Sequence, residues 1–343
     1  TSDTEAIAYE IVRERIRSNS TEEAVERAMP NIIGAYSCIL MTATKLIAFR
    51  DPDGFRPLCI GKTTDGAYLV ASESCALETV GAEFLRDVRP GEIVVIGKDG
   101  LRSITTHCRK SSNICIFEYI YFARPDSVIE GISVHHARVM AGRILAKYSP
   151  VEADIVVGVP DSGLDAALGY AEQSGIPYGI GFIKNKYIGR SFIQPSQNQR
   201  ESAVKIKLNA VRESVRGKRV IMIDDSIVRG TTSARIVHLL REAGASEVHV
   251  RISSPVFRHT CHFGTDIDSE ENLIANHCET TEDIAKYIGA DSLAYLPTEA
   301  LSELIGGKQE FCRGCFTGDY PLDVSGAVSK NKFDEKIHKV TEE

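Results

Sequence analysis

Residues 220–234 read VIMIDDSIVRGTTSA. The four apolar residues Val220 to Ile223 predict a strand buried on both faces, because a half-solvated strand alternates polar and apolar side chains. The strand runs into two adjacent acids, Asp224 and Asp225, and then a short loop, Ser226 to Thr232, rich in hydroxyls and backbone amides. Gly230 in that loop allows close approach of the backbone to a ligand. A helix is expected from about Ser233 to Ala243, closed by Gly244. Unpaired N–H groups and the positive end of a helix dipole make such a loop a cradle for a phosphate group. Carboxylates repel phosphate, so the paired acids suit another part of the same ligand: sugar hydroxyls, a Mg²⁺ ion, or both.

The order of apolar strand, Asp-Asp and Ser/Thr/Gly loop resembles the signature of phosphoribosyltransferases that use phosphoribosyl pyrophosphate (PRPP). Upstream, Ala153 to Val159 (ADIVVGV) predicts a second buried strand. It runs through the tight loop Pro160, Asp161, Ser162 and Gly163 into a helix from Leu164 to Ser174, stopped by Gly175. On its own PDSG is a common turn; ahead of Asp224 and Asp225 it reads as a second anion cradle. Between the two lie a third expected strand, IPYGIGFI (residues 176–183), and the segment KNKYIGRSFIQPSQNQRES. That segment carries Lys184, Lys186, Arg190 and Arg200 among Gly189, Pro195 and several amides, a composition suited to a basic lid that excludes water. A further strand is expected in SEVHVRISSP (residues 246–255). Alternating strands and helices imply a doubly wound parallel sheet with its ligand at the strands' C-terminal ends.

The chain of 343 residues carries a net charge of −7, which gives no reason to expect nucleic-acid binding. No apolar run is long enough to span a bilayer, and nothing at the start reads as a signal peptide. A cytoplasmic protein is expected. Nine irregularly placed cysteines do not make a secreted disulfide scaffold.

The N-terminal part has a different texture. Ser2 and Glu5 are spaced as a capping box ahead of a helix through Ile7, Ile11 and Ile16, and Thr21 to Met29 gives a second helix ended by Pro30. From Gly34 several short runs separated by turn residues indicate an antiparallel sheet. The boundary is expected near His107, giving domains at residues 1–107 and 108–325 and a weakly structured tail at 326–343.

The strings GAYSCILMT, DPDGFRPLCIGK, VASESCALETVGAEFLRDVRPGE and EYIYFARPDS follow in order. Together they resemble the glutamine PRPP amidotransferases, or amidophosphoribosyltransferases, over essentially the whole chain from Thr1 to about Val324. The resemblance implies a partial N-terminal-nucleophile glutaminase domain of αββα architecture followed by a type I phosphoribosyltransferase. It implies formation of 5-phosphoribosylamine and pyrophosphate from PRPP and ammonia, supplied by glutamine in the intact enzyme. It further implies a PRPP site of Asp161, Ser162, Gly163, Lys184, Arg190, Asp224, Asp225, Ser226, Val228, Arg229, Gly230, Thr231 and Thr232, with Mg²⁺ at Ser162, Asp224 and Asp225. Purine nucleotide inhibitors and a homo-oligomer are implied as well.

The family's nucleophile is an N-terminal cysteine, whereas this sequence begins TSDTE. Cys38, Cys59, Cys75 and Cys108 are therefore expected to be core or surface thiols, and glutaminase activity to be lacking. Asp3 is the glutamine-site remnant by resemblance; by itself it is a first-turn helix acid. Four further cysteines, Cys115, Cys261, Cys312 and Cys315, offer four thiolates. Their spacing alone leaves open zinc, with His259 and His262 nearby, or a [4Fe–4S] cluster. The resemblance implies the cluster, in a structural role, while Cys278 is expected to pack. Two other readings are a regulatory PRPP-binding protein without catalysis and a nucleobase phosphoribosyltransferase. The absence of a recognisable DNA-binding module weighs against the first, and the strands upstream of His107 weigh against the second.

Overall fold

The computed structural model describes residues 2–185, 208–267 and 269–326. The expectations placed on Lys186, Gly189, Arg190, Pro195 and Arg200, and on the tail beyond residue 326, lie outside the described residues.

Ser2 caps α1 (Asp3–Arg15), its hydroxyl accepting the Glu5 N–H at 3.4 Å. This is half of the expected capping box; the complete box forms at Thr280 and Asp283, ahead of a later helix. α2 (Thr21–Ala28) gives way at Pro30 to a 3₁₀ turn over Met29–Asn31. There follow β1 (Ser37–Met41), β2 (Leu46–Arg50), β3 (Cys59–Lys62), β4 (Tyr68–Ala71), α3 (Ser74–Thr79), β5 (Glu83–Asp87), β6 (Ile93–Gly97) and β7 (Gly100–Ile104). They form two antiparallel sheets, in the orders β1-β2-β6-β7 and β4-β3-β5.

Successive side chains of a strand point to opposite faces. Ile47, Phe49, Ile93 and Val95 therefore meet Ile11, Val25 and Met29 on one side, while Ala48 and Val94 meet Leu58, Ile60 and Val88 of the second sheet on the other. α3 closes the outer face of the second sheet through Leu77. The result is the αββα sandwich expected. β1 lies at a sheet edge with Ile39 and Met41 exposed.

A two-residue hairpin, β8 (Val128–Ile129) and β9 (Ile132–Ser133), leads into α4 (Val134–Tyr148). The second half then alternates: β10 (Ile155–Gly158), α5 (Gly163–Ser174), β11 (Phe182–Lys184), β12 (Leu208–Ala210), β13 (Arg219–Asp224), α6 (Thr231–Glu242), β14 (Glu247–Ile252), α7 (Thr281–Ile288) and β15 (Ser292–Tyr295). β10, β13, β14 and β15 neighbour one another in that order, all parallel. Val156, Ile221 and Ile223 pack under α4 and α5, and Val220, Met222, Val248 and Val250 pack under α6 and α7. Helices thus cover both faces, which is why these strands read as unbroken apolar runs.

One expected strand is corrected. Of residues 176–183 only Phe182 and Ile183 are extended, within a hairpin of β11 with β12; Tyr178 makes one isolated bridge to Val156. Gly179 takes part in that bridge, its N–H donating to the Val156 carbonyl at 2.9 Å, and a Cβ there would stand 2.4 Å from the Ile155 side chain. The tightest helix contact joins α4 to α5. A Cβ on Gly142 would lie 1.8 Å from the Ala166 carbonyl oxygen, and one on Gly169 would lie 1.9 Å from that of Val139.

Candidate active site

Two strand ends bring the sequence-predicted acids and the PDSG loop together. β10 ends at Gly158 and β13 at Asp224, side by side in the parallel sheet. The first residue of α5, Gly163, is pressed against the end of β13: a Cβ there would be 2.4 Å from the Ile223 carbonyl oxygen. Only glycine admits this approach, and it places Ser162 over the second acid. The Ser162 hydroxyl donates to Asp225 Oδ2 at 2.5 Å, Ser226 donates to Asp225 Oδ1, and the Asp225 N–H donates to Asp224 Oδ1 at 2.9 Å. α5 starts at Gly163 rather than Leu164, and the Pro160–Asp161 peptide is cis.

Asp224 and Asp225 are 7% and 8% exposed. Burial and the neighbouring Asp225 charge push the Asp224 carboxyl well above the usual range. Burial also raises Asp225, against the hydroxyls of Ser162 and Ser226 and the charge of Arg138. A buried pair of like charges is relieved by a cation or by hydroxyl donors, the two partners the sequence suggested.

The loop after the acids is pinned by its apolar residues. Ile227 is buried against the α6 face of the sheet, Val228 packs against the opposite core, and the Val228 carbonyl accepts the Ile274 N–H at 2.9 Å. Gly230, at φ +77°, turns the chain into α6, so the helix begins two residues earlier than expected. Thr231 and Thr232 are therefore first-turn residues, both exposed, and Arg229 beside them is exposed too. Across the cleft Lys184 at the end of β11 pairs with the exposed Asp161. Asp3, by contrast, sits exposed in the first turn of α1.

Sequence reading missed Arg138. It lies in α4 among apolar residues, 3% exposed, and donates to the Tyr119 and Ala123 carbonyls at 2.9 and 2.7 Å. The first carbonyl lies within a π-type turn, Glu118–Phe122, and the second just after it, and an arginine within an otherwise apolar helix face was the available signal.

Cys115, Cys261, Cys312 and Cys315 are all buried in one core. Cys115 and Cys312 are bridge partners: the Cys312 N–H donates to the Ile114 carbonyl at 2.9 Å and the Ile116 N–H to that of Cys312 at 3.1 Å. The Cys315 carbonyl accepts the N–H groups of Arg258 and His259, both at 3.1 Å. Cys261 Sγ accepts two backbone N–H groups, from Phe263 at 3.4 Å and Thr265 at 3.3 Å. Burial, then the other three cysteines, raise the Cys315 thiol, and burial pushes Cys312 up to about 11. The four thiols are thus neighbours, and two amide donors are aimed at one sulfur, the kind of outer hydrogen bond that orients a thiolate ligand. As they stand, no group of three or more His, Cys, Asp or Glu among the described residues is set to hold a metal ion. His259 pairs with Glu270 at 3.0 Å and His262 packs edge-on to Tyr320. Cys59 and Cys75 are buried, while Cys38, Cys108 and Cys278 are half-buried.

The turn 50–56 joins the antiparallel half to this region. Arg50, 1% exposed, donates to the carbonyls of Gly54, Arg56 and Val88 and pairs with Glu130 at 2.8 Å. Arg56 pairs with Glu118 at 2.5 Å, and its guanidinium lies 5.0 Å from the centre of the Phe122 ring.

A family model for the phosphoribosyl transferase domain matches residues 131–257, and one for the glutamine amidotransferase domain matches residues 1–79. The chain is 49% identical over 328 residues to an amidophosphoribosyltransferase of Archaeoglobus fulgidus, covering 95% of this chain and 71% of the relative. It is 51% identical over 328 residues to that of Bacillus subtilis, covering 94% and 68%. Among solved structures it superposes on one described as the allosteric regulatory enzyme of purine biosynthesis, with a TM-score of 0.85 and 50% identity over 96% of this chain and 71% of that one. A second match is the glutamine PRPP amidotransferase from B. subtilis complexed with ADP and GMP, with a TM-score of 0.84 and 50% identity over 94% and 71%. The expectation that glutaminase activity is lacking is not borne out, since the amidotransferase model matches from residue 1; that expectation rested on where the sequence begins. Among the described residues no helix is long and apolar enough to cross a membrane.

Proposed function

This chain belongs to the amidophosphoribosyltransferases, the pentosyltransferases of the first step of purine biosynthesis, and on that footing we propose the roles of its residues. The substrate is PRPP, and the nitrogen comes from ammonia drawn from glutamine. The loop Ser226 to Thr232, with Val228 anchoring it and Arg229, Gly230, Thr231 and Thr232 at the mouth of α6, receives the 5-phosphate. Asp224 and Asp225 accept the ribose hydroxyls, and Asp161, Ser162 and Gly163 at the start of α5 receive the pyrophosphate. Lys184, with Arg190 of the basic segment, supplies the opposing charge. Ser162, Asp224 and Asp225 would hold Mg²⁺, which when bound neutralises the leaving pyrophosphate.

At C1 the bond to the pyrophosphate oxygen breaks and a bond to nitrogen forms. The electron pair of the broken bond leaves on pyrophosphate, and the added nitrogen gives its surplus proton to solvent. The transition state is oxocarbenium-like, so the chain's task is to fix both ends of the ribose phosphate and keep water from C1. Cys115, Cys261, Cys312 and Cys315 would hold a [4Fe–4S] cluster, which when bound cross-links the C-terminal segment to the transferase core. We assign residues 1–107 to the amidotransferase and 108–325 to the transferase. Purine nucleotides, a cytoplasmic setting and self-association complete the reading, the first supported by the ADP and GMP on the B. subtilis relative.

The observation that carries the reading is the buried Asp224–Asp225 pair beneath Ser162. Pyrophosphate release from PRPP and Mg²⁺, with ammonia or with glutamine, tests it. In Asp225→Asn, loss of about 3 kcal/mol of charge-assisted contact predicts turnover reduced roughly a hundred-fold in both arms. Unchanged turnover removes Asp225 from the site.

A further inference from the structure

Phe55 and Arg56 are consecutive residues of the antiparallel half, yet they hold two of the four cysteine segments. The Phe55 carbonyl accepts the Cys115 N–H at 3.1 Å, and the Phe55 ring stacks on Phe263 with centroids 4.3 Å apart. Arg56 Nη2 donates to the Phe263 carbonyl at 2.7 Å. That carbonyl lies in the chain between the two N–H groups that point at Cys261 Sγ, those of Phe263 and Thr265. Arg56 therefore grips the short loop at its midpoint. Gly264 accommodates the grip: it adopts φ +101°, and a Cβ there would stand 2.8 Å from Arg56 Nη2. The guanidinium is oriented by the Glu118 carboxylate, itself buried, and by the Phe122 ring. Lysine could not reproduce this, since one ammonium cannot span two fixed acceptors as a planar fork does.

We propose that Arg56 is a positioning residue for the metal centre of Cys115, Cys261, Cys312 and Cys315, fixing the Cys261 loop and balancing the charge of the thiolates. The inference rests on the reading that these cysteines hold a metal. Four thiolates around either a [4Fe–4S] core or a zinc ion leave about two net negative charges in a dry core, and Arg56 is a cation whose fork already reaches the loop. Through Arg56 the centre is also tied to the amidotransferase half.

The test uses the full chain purified without oxygen, with iron, sulfide and zinc measured per chain and metal loss to EDTA followed over time. Arg56→Lys keeps the charge and loses the fork. The double variant Arg56→Gln with Glu118→Gln removes the charge without orphaning the buried carboxylate, which guards against a simple folding defect. Glu130→Gln breaks the neighbouring ion pairs of Glu130 with Arg50 and Lys308 and serves as the structural control. Groups that orient metal ligands typically carry 10–100-fold in affinity, so both Arg56 variants should release metal faster by roughly ten-fold or more while Glu130→Gln does not. Metal-loaded protein in which all variants release metal alike overturns the inference and leaves the metal reading standing. Wild-type chain with neither iron nor zinc overturns both.

Discussion

The phosphate cradle and the cysteine junction are both built from polar groups at loop ends, and they differ in what surrounds them. At the cradle, Asp161, Arg229, Thr231 and Thr232 are exposed, and among the polar side chains of its loops the acid pair is buried. At the junction all four thiols are buried, Phe55 is fully buried, and Arg50 is 1% exposed. A cradle must admit and release a charged substrate, so it keeps polar groups at the surface. At the junction Arg50 and Arg56 each meet both backbone carbonyl and carboxylate oxygens. Substitutions should accordingly cost function in the first region and stability in the second.

The largest separation is expected from Phe55→Ala. Removing a fully buried ring stacked on Phe263 should lower stability by about 3–5 kcal/mol, read as a shift in the denaturant midpoint, with PRPP affinity unchanged. A variant that unfolds normally but binds PRPP poorly breaks the division.

Glu92 sharpens it through pH. Its carboxylate is fully buried at the end of the antiparallel sandwich, and burial alone would raise it. The fork of Arg86, the Ser103 hydroxyl and the Arg89 N–H outweigh burial and bring it to about 2. A folded value below the unfolded one contributes stability that is complete above about pH 4.5 and disappears as the pH falls toward 2. Glu92→Gln should therefore lose on the order of 3 kcal/mol at neutral pH and approach the parent chain near pH 2, in paired unfolding curves. A gap that persists at low pH contradicts this assignment.

Gly163→Ala probes the cradle where it touches the sheet. Its new methyl group would stand 2.4 Å from the Ile223 oxygen, so α5 must retreat from β13 at a cost of about 1–3 kcal/mol. The Michaelis constant for PRPP should rise with it, because Ser162 moves too; a rise in neither would show that the two loops are less closely joined. Lys184→Ala should be mildest. An exposed pair with Asp161 contributes under about 1 kcal/mol of stability, so the midpoint should hold while PRPP affinity falls a few-fold, an effect that added salt erases.

The two regions were unequally legible. The parallel sheet could be read because strands covered on both faces leave continuous apolar runs, and the cradles because acids, hydroxyls and glycine follow those runs within a few residues. The junction left no such trace. DPDGFRP reads as a turn, and nothing local shows that its arginine meets a carbonyl 207 positions away. Arg50 looks like a solvent-facing charge until tertiary structure supplies buried carbonyls to receive it, and Arg138 was marked only by the apolar helix face around it. Residues 176–183 are apolar enough to read as a strand, but their glycines follow the sheet only through an isolated bridge. Helix starts were displaced toward the glycines, whose dihedrals and clearances are properties of the folded chain.

The reciprocal glycines of α4 and α5 have a mechanical meaning. With Gly142 against Ala166 and Gly169 against Val139, backbone rests on backbone along the crossing, and neither helix can slide or roll without collision. The two therefore behave as a single stiff beam. One end of that beam begins beside the hairpin whose Glu130 is tied to Arg50, and along it lies the loop that carries Ser162. A beam of this stiffness predicts that a substitution at the Arg50–Glu130 end shifts the Ser162 loop relative to Asp225, although those residues never meet the substrate.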